Sequence, residues 1–224
     1  MARLFTGVWL VLMFQVSVAT EVGVVKDGSF DFPVKDFNFK IFINDQEAGS
    51  HSFRLQQQGE NLLVSSRMNL EFKVFKVRQV KYSHSADEVW QGGCLVSLKS
   101  ETRKQDVPSY VTASADTSGL VVVNEKGSET IKGCARSFAY WNPALLEAEY
   151  LLNSESGQYL PVEISSNVVG PEKITHMTIA GPKADIRLQY DSAGNWLSLE
   201  SDLQFGNVIR YQPATTDIPS TGGQ

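Results

Sequence analysis

Apolar and polar residues alternate one by one along most of this chain, and that alternation strongly limits its fold. Phe37, Phe39, Ile41 and Ile43 take every second position of one segment, and similar stripes recur in residues 51–55, 68–74 and 186–190. A period of two is typical of a strand that buries one face of an antiparallel sheet, whereas a helix repeats every 3.6 residues. The pattern therefore predicts a protein built mainly of half-buried strands.

About a dozen such segments follow one another at intervals of roughly 8–12 residues, without a linker between them. So many consecutive strands must curl or stack to cover their apolar face. The sequence predicts an all-β fold: a single domain over residues 20–212, with about a dozen antiparallel strands in a strongly curved sheet or open barrel. Two packed sheets are the alternative.

Residues 142–152 depart from the alternation. Asn142 suits an N-cap, Pro143 suits the first helical position, and good helix formers follow, among them Leu145 and Leu146. This stretch predicts one short helix that lies across the sheet or closes one end of it.

The first nineteen residues have the composition of a secretory signal peptide. Arg3 precedes an apolar run over residues 4–18, and Ser17 and Ala19 are small residues at the −3 and −1 positions before Thr20. An uncleaved anchor is the alternative, but the run is shorter than the ~20 residues that a span requires. We expect cleavage after Ala19, no membrane span afterwards, and a periplasmic or secreted location. At the other end, residues 213–224 have little to bury and are expected to be disordered.

The charge balance argues against two classes of partner. Twenty Lys and Arg stand against 25 Asp and Glu, which gives a formal net charge of −5. Such a chain offers little to a phosphate backbone, so no nucleic-acid partner is expected. A polybasic contact with a membrane surface is disfavoured for the same reason.

The chain has two cysteines, Cys94 and Cys134. An isolated pair in an exported protein is most simply a disulfide. A redox pair would favour C-x-x-C spacing, and a zinc site would need more ligands than the three scattered histidines supply. The sequence therefore predicts a structural disulfide and no metal.

The segment around His84 and Glu88 contains the candidate catalytic residues of the sequence. On a strand these two residues share a face with Ala86, and neighbouring side chains on that face are about 6.5 Å apart along the strand. His84 and Glu88 are therefore a hypothetical acid–base pair. A polar strand end is the simpler interpretation. The sequence contains no nucleophile elbow, phosphate loop or dinucleotide fingerprint, so no cofactor is expected.

Aromatic residues suggest a binding surface instead. A curved sheet can hold an apolar guest in its concavity, and Trp90, Tyr140, Trp141 and Asn142 are predicted to border such a cleft. Small barrels also fill themselves with aromatic side chains, so a plain core is the alternative.

Four segments together resemble a family of secreted bacterial proteins known only as a domain of unknown function: EVWQGGCL at 88–95, CARSFAYWNP at 134–143, LLNSESG at 151–157 and YDSAGNW at 190–196. The resemblance covers roughly residues 37–211. It implies export and an all-β fold, and it implies no activity. One loop departs from the pattern: residues 103–108 read RKQDVP where a tight Asn-Gly turn is expected.

Three functions follow as hypotheses. The first is an exported protein that binds an apolar or amphipathic molecule, such as a lipid, in the concavity of its sheet. The second is an enzyme that acts on an envelope substrate with His84 and Glu88. The third is a structural or assembly factor without a small ligand.

Overall fold

The computed structural model describes residues 35–74, 78–182, 185–203 and 206–214. The predicted signal peptide, its cleavage site after Ala19 and residues 215–224 of the predicted tail lie outside the described residues. Pro213 and Ala214, which were predicted to begin the tail, continue the fold instead. Pro213 ends the last strand, and the Ala214 N–H donates to the Asn38 carbonyl over 2.8 Å.

Fifteen strands and one short helix make up the described part of the chain. In chain order they are β1 (Phe37–Ile43), β2 (Gln46–Gln58), β3 (Asn61–Val74), β4 (Arg78–Gln91), β5 (Cys94–Lys104), β6 (Val107–Asp116), β7 (Gly119–Asn124), β8 (Gly127–Ile131), a 3₁₀ helix (Pro143–Glu147), β9 (Tyr150–Leu152), β10 (Tyr159–Pro161), β11 (Glu163–Val169), β12 (Ile174–Ala180), β13 (Asp185–Tyr190), β14 (Trp196–Asp202) and β15 (Val208–Pro213).

Thirteen of the strands form one antiparallel sheet in the order β11-β12-β13-β14-β15-β1-β2-β3-β4-β5-β6-β7-β8. Neighbours in the sheet are consecutive in the chain except at one place, where β15 pairs with β1 and Tyr211 lies opposite Ile41. The remaining two strands, β9 and β10, form a hairpin of their own. The predicted all-β fold with about a dozen antiparallel strands is confirmed.

The curvature of the sheet follows from which strands meet. Six strands separate β12 from β4 in the sheet order. In a flat sheet with strands about 4.8 Å apart, they would lie roughly 34 Å from each other. Ile179 of β12 and Ala86 of β4 nevertheless line the same cavity. The sheet therefore curls strongly, as predicted, and its buried face is concave.

The alternation of apolar and polar residues determines which face of the sheet is buried. Phe37, Phe39 and Ile41 are buried in β1, while Asn38 and Lys40 between them are exposed. The buried residues of the strands join a single core in which aromatic rings pack against one another. Burial of these apolar faces, at about 25 cal/mol per Å², is the main stabilising contribution to the sheet.

Two-residue turns fix the register of the long hairpins. Gln105 and Asp106 connect β5 to β6 with φ angles of 52° and 64°. Positive φ at both central residues is the geometry of a type I′ turn, which matches the twist of the flanking strands. The hairpin therefore forms even though the loop departs from the expected Asn-Gly pair.

Residues 132–162, which we call the inner segment, leave the end of β8 and pack against the concave face. Cys134 near its start is joined by a disulfide to Cys94 at the start of β5, with Cα atoms 5.1 Å apart. Further along, Leu145, Leu151 and Leu152 are fully buried against the sheet. The inner segment thus packs apolar side chains into the concavity, and the disulfide links its start to β5.

The predicted helix over 142–152 is shorter than expected. A 3₁₀ turn covers Pro143–Glu147, and residues 150–152 form β9 instead. Tertiary contacts override helix propensity here, because the Leu152 N–H donates to the Arg136 carbonyl over 2.8 Å and β9 pairs with β10. Among the described residues, no helix combines the length and the apolar character needed to cross a membrane.

Candidate functional site

A cavity of about 300 Å³ lies between the concave face of the sheet and the inner segment. Strands β2 to β4 form its floor, with His51, Phe53, Val64, Ser66, Met68, Tyr82, His84, Ala86 and Glu88. The inner segment forms its roof, with Phe138, Ala139, Tyr140, Trp141, Asn153, Ser154, Glu155 and Leu160. The far wall consists of Ile179, Gly181, Pro182, Ile186 and Tyr211. Its size is at the lower end of the roughly 300–1,000 Å³ range of small-molecule sites.

The pleat of the strands places the polar groups in this cavity. In β4, residues 82, 84, 86 and 88 all line it, because every second side chain of a strand points to the same face. In the two neighbouring strands, His51 lies opposite Met68, and Met68 lies opposite His84. Both histidines therefore face the cavity at the same level, on β2 and β4.

His51 is the centre of a buried polar cluster. Its Nε2 atom lies 2.7 Å from Ser66 Oγ, and its Nδ1 atom lies 3.1 Å from the Tyr211 hydroxyl. His51 as a whole residue is 5% exposed. Burial, together with the nearby His84, lowers the pKa of His51 to about 3. The ring is therefore neutral at physiological pH and has one N–H and one acceptor nitrogen.

His84 belongs to a second cluster of the same kind. Its Nδ1 atom lies 2.8 Å from Thr102 Oγ1, and its Nε2 atom lies 3.1 Å from Ser154 Oγ. Burial lowers the pKa of His84 below its ordinary value, although Glu155 acts in the opposite direction. This histidine connects strand β4 to β5 and to the roof of the cavity.

Glu88 is held apart from His84 by its own partners. Its carboxyl group accepts hydrogen bonds from Trp90 Nε1 and from Ser137 Oγ, both over 2.8 Å. Burial raises the pKa of Glu88, and these two hydrogen bonds oppose the shift. The structure places His84 and Glu88 on one face of β4, as expected from their spacing, but it pairs neither with the other.

The turn at residues 153–157 closes the cavity on one side. Asn153 Oδ1 accepts hydrogen bonds from the Glu155 and Ser156 N–H groups, over 2.9 and 3.0 Å. The Glu155 carboxylate accepts a hydrogen bond from the Tyr82 hydroxyl over 2.9 Å and forms an ion pair with Lys104. Burial would raise the pKa of Glu155, but the bonds from Lys104 and Tyr82 outweigh it and the pKa lies below its ordinary value. The anion is thus already compensated by a lysine of the sheet.

The four residues predicted to bind a ligand divide into two pairs. Tyr140 and Trp141 line the cavity, and the Tyr190 hydroxyl fixes the backbone there by donating to the Tyr140 carbonyl over 2.7 Å. Trp90 is fully buried outside the lining, with its ring edge-on to Trp141 at a centroid distance of 5.3 Å. Asn142 is also outside the lining, and its N–H donates to the Ala139 carbonyl over 2.8 Å. Trp90 and Asn142 therefore support the roof rather than form its surface.

Comparison with known proteins agrees with this architecture. Residues 39–214 match the model of a family described as Domain of unknown function (DUF6134). The chain belongs to this family. No curated protein matches the chain. The resemblance to a family of unknown function is thereby confirmed, and membership of the DUF6134 family assigns no activity.

The fold is similar to one that has been solved for another family. The crystal structure of a β-barrel-like protein of domain of unknown function DUF1849 from Brucella abortus matches with a TM-score of 0.56 and 11% sequence identity. The match covers 82% of this chain and 98% of the Brucella chain. At that identity it shows a shared fold and nothing about activity.

Several residues of the cavity are absent from the sequence predictions. His51, Ser66, Tyr211, Ser154 and Glu155 all contribute polar atoms to it. A signal for two of them is present in the sequence: His51 and Ser66 are polar residues at positions where the alternation demands apolar ones. A polar residue on the buried stripe of a strand must find a partner, which makes it a candidate for a site.

Proposed function

We propose that this protein is exported and that it binds a small amphipathic molecule in the cavity between its curved sheet and the inner segment. The observation that carries the proposal is a cavity in which apolar walls surround a few convergent polar groups. That combination is the usual character of small-molecule sites.

The walls suit an apolar body of limited size. Phe53, Met68, Phe138, Ile179 and Ile186 contribute side chains from the floor, the roof and the far wall. An apolar ligand that displaces water from such surfaces is stabilised by about 25 cal/mol per Å² of buried area, before the cost of immobilising it.

The polar groups are already ordered, which favours binding. His51 bonds to Ser66 on the floor and to Tyr211 on the far wall, and His84 bonds to Ser154 at the edge of the roof. Groups that are fixed before a ligand arrives lose little entropy on binding.

Hydrolysis is a second candidate function, favoured by one contact. Ser154 Oγ lies 3.1 Å from His84 Nε2, a distance typical of a nucleophile and its base. Two features count against it. The other nitrogen of His84 meets Thr102 rather than a carboxylate, and the N–H groups of Glu155 and Ser156 are bonded to Asn153 rather than open to an oxyanion. Esterase assays with short acyl esters test it, and activity that is lost in Ser154→Ala would establish the enzyme.

Export is tested at the N-terminus. We expect the protein from the periplasmic or secreted fraction to begin at or near Thr20, as the small residues at positions 17 and 19 predict. Protein that begins at Met1 and sediments with the inner membrane would contradict export.

Ligand binding is tested by native mass spectrometry of protein purified without detergent from the cells that produce it. We expect a fraction of the protein to carry added mass, and solvent extraction to release the same molecule. Ala86→Leu enlarges a buried side chain on the cavity floor, so the added mass should disappear. Ala115→Leu is the matched control, because Ala115 is exposed on β6 and away from the cavity.

Two results would contradict the proposal. One is wild-type protein at the mass of the bare polypeptide, with an extract that holds no molecule enriched over the Ala86→Leu sample. The other is added mass that persists in Ala86→Leu, which would place the ligand outside this cavity.

A further inference from the structure

The cluster of His51, Ser66 and Tyr211 has one hydrogen-bond donor more than the hydrogen bonds within the cluster use. The neutral ring has one N–H, and Ser66 and Tyr211 each have one O–H, which makes three donors. Two hydrogen bonds join the three groups, one on each ring nitrogen. If the proton is on Nε2, the Ser66 O–H is left over, and if it is on Nδ1, the Tyr211 O–H is left over. In either tautomer one hydroxyl has no acceptor among the described residues and can donate into the cavity that both residues line.

The cluster around His84 supplies a second donor by the same count. Thr102 is 1% exposed and has no bond from Oγ1 among the described residues except that to His84. An unpaired O–H at such a buried position is costly, so the Thr102 hydroxyl donates to Nδ1 and the ring proton is on Nε2. That proton is donated to Ser154 Oγ, which leaves the Ser154 O–H available on the roof of the cavity.

The described lining of the cavity disfavours a charged ligand. Among the described residues that line the cavity there is neither Lys nor Arg. A buried carboxylate without a cation pays its desolvation cost in full. A ligand ammonium would meet Glu155, whose charge is already paired with Lys104, and Glu88, where burial raises the pKa and so favours the uncharged acid.

We propose that the cavity selects an uncharged ligand whose polar group is a hydrogen-bond acceptor, namely a carbonyl, ester or ether oxygen on a compact apolar body. The oxygen accepts from the spare hydroxyl of the Ser66–His51–Tyr211 cluster, from Ser154, or from both. This inference rests on the proposed function, because it names the class of molecule that the same cavity takes.

The test uses four probes with one apolar body and different polar groups. They are 2-acetylnaphthalene (a neutral acceptor), 2-naphthoate (an anion), 2-naphthylmethylammonium (a cation) and 2-ethylnaphthalene (no polar group). Affinity is measured by NMR titration of the full mature chain with its disulfide intact, at neutral pH. We expect the ketone to bind at least about tenfold more tightly than each charged probe, and more tightly than the hydrocarbon.

Infrared spectroscopy of the carbonyl-labelled ketone reports the hydrogen bond itself. We expect the carbonyl stretch of the bound ketone to lie below its value in an alkane solvent. Ala86→Leu should abolish binding and the shifted band, and Ala115→Leu should keep both.

The outcomes separate the two proposals. If the ketone binds no better than the carboxylate, the ammonium or the hydrocarbon, or if its carbonyl stretch equals that in alkane, the acceptor class is wrong and binding in the cavity stands. If none of the four probes binds, the proposed function fails and this inference fails with it.

Discussion

Acidification should destabilise this protein through His51, and the size of the effect follows from its environment. The ordinary pKa of a histidine, 6.5, applies to the unfolded chain, whereas burial lowers the pKa of His51 to about 3 in the folded protein. Between these values the unfolded state binds a proton that the folded state does not bind. Stability from this group is therefore fully present above pH 6.5 and is lost as the pH falls towards 3.

The magnitude is about 1.4 kcal/mol for each pH unit inside that window. Between pH 7.5 and pH 5.0, His51 alone should lower the free energy of unfolding by roughly 2 kcal/mol. The lowered pKa of His84 acts in the same direction, whereas the raised pKa of Glu88 acts in the opposite direction. The pH dependence of the free energy of unfolding therefore combines the effects of several groups. Only a comparison with a variant isolates the contribution of His51.

His51→Gln provides that comparison, because glutamine stays neutral and can hydrogen-bond to Ser66 and Tyr211. Urea unfolding, followed by tryptophan fluorescence with the disulfide intact, gives the free energy of unfolding at each pH. We expect the wild type to lose about 2 kcal/mol more than His51→Gln between pH 7.5 and pH 5.0. Equal losses in the two proteins would refute the assignment of a buried, neutral imidazole.

Three further predictions concern the packing of the fold. Replacing Cys94 and Cys134 by Ser should cost roughly 4 kcal/mol, since the disulfide closes a 40-residue loop, and thermal unfolding of both proteins measures it. Trp141→Ala should lower the free energy of unfolding by about 3–5 kcal/mol and weaken ligand retention, because the ring is buried in the roof; a loss below about 1 kcal/mol would contradict that packing. Gly49→Ala puts a Cβ atom 1.9 Å from a carbonyl oxygen of β3, so it should destabilise more than Gly59→Ala, which meets nothing within 4 Å and should cost about 1–2 kcal/mol. Similar urea midpoints for the two glycine variants would contradict this.

The strands and the curved sheet could be predicted from the sequence because each depends on local pattern. The alternation that begins at Phe37 is read directly as a half-buried strand, and the number of such strands requires curvature. The pairing of β15 with β1 joins residues about as far apart as the domain allows, and no local pattern encodes it. The same limit applies to the helix predicted at 142–152, where pairing of β9 with β10 overrides the propensity of the leucines.

The cavity was predictable only in part, for a physical reason. Tyr140 and Trp141 could be proposed because aromatic residues near a curved sheet suggest a lined concavity. The cluster of His51, Ser66 and Tyr211 joins three strands, and its Tyr211 member is 160 residues from His51 in the chain. Sequence reasoning can flag a polar residue on a buried stripe, but which partner satisfies it depends on strand register, and that is a tertiary property.

Methyl NMR of the protein during titration with 2-acetylnaphthalene locates the bound molecule, and so it tests whether a ligand binds in the cavity between the sheet and the inner segment. Met68, Ile179 and Ile186 line the cavity from its floor and far wall, whereas Val122 and Ile131 belong to the core near the β8 edge of the sheet. We expect saturable shifts at the methyl groups of the first three residues and unchanged signals at the other two. Shifts that do not saturate, or that appear at Val122 and Ile131 while the cavity methyl groups stay unchanged, would contradict binding in the cavity.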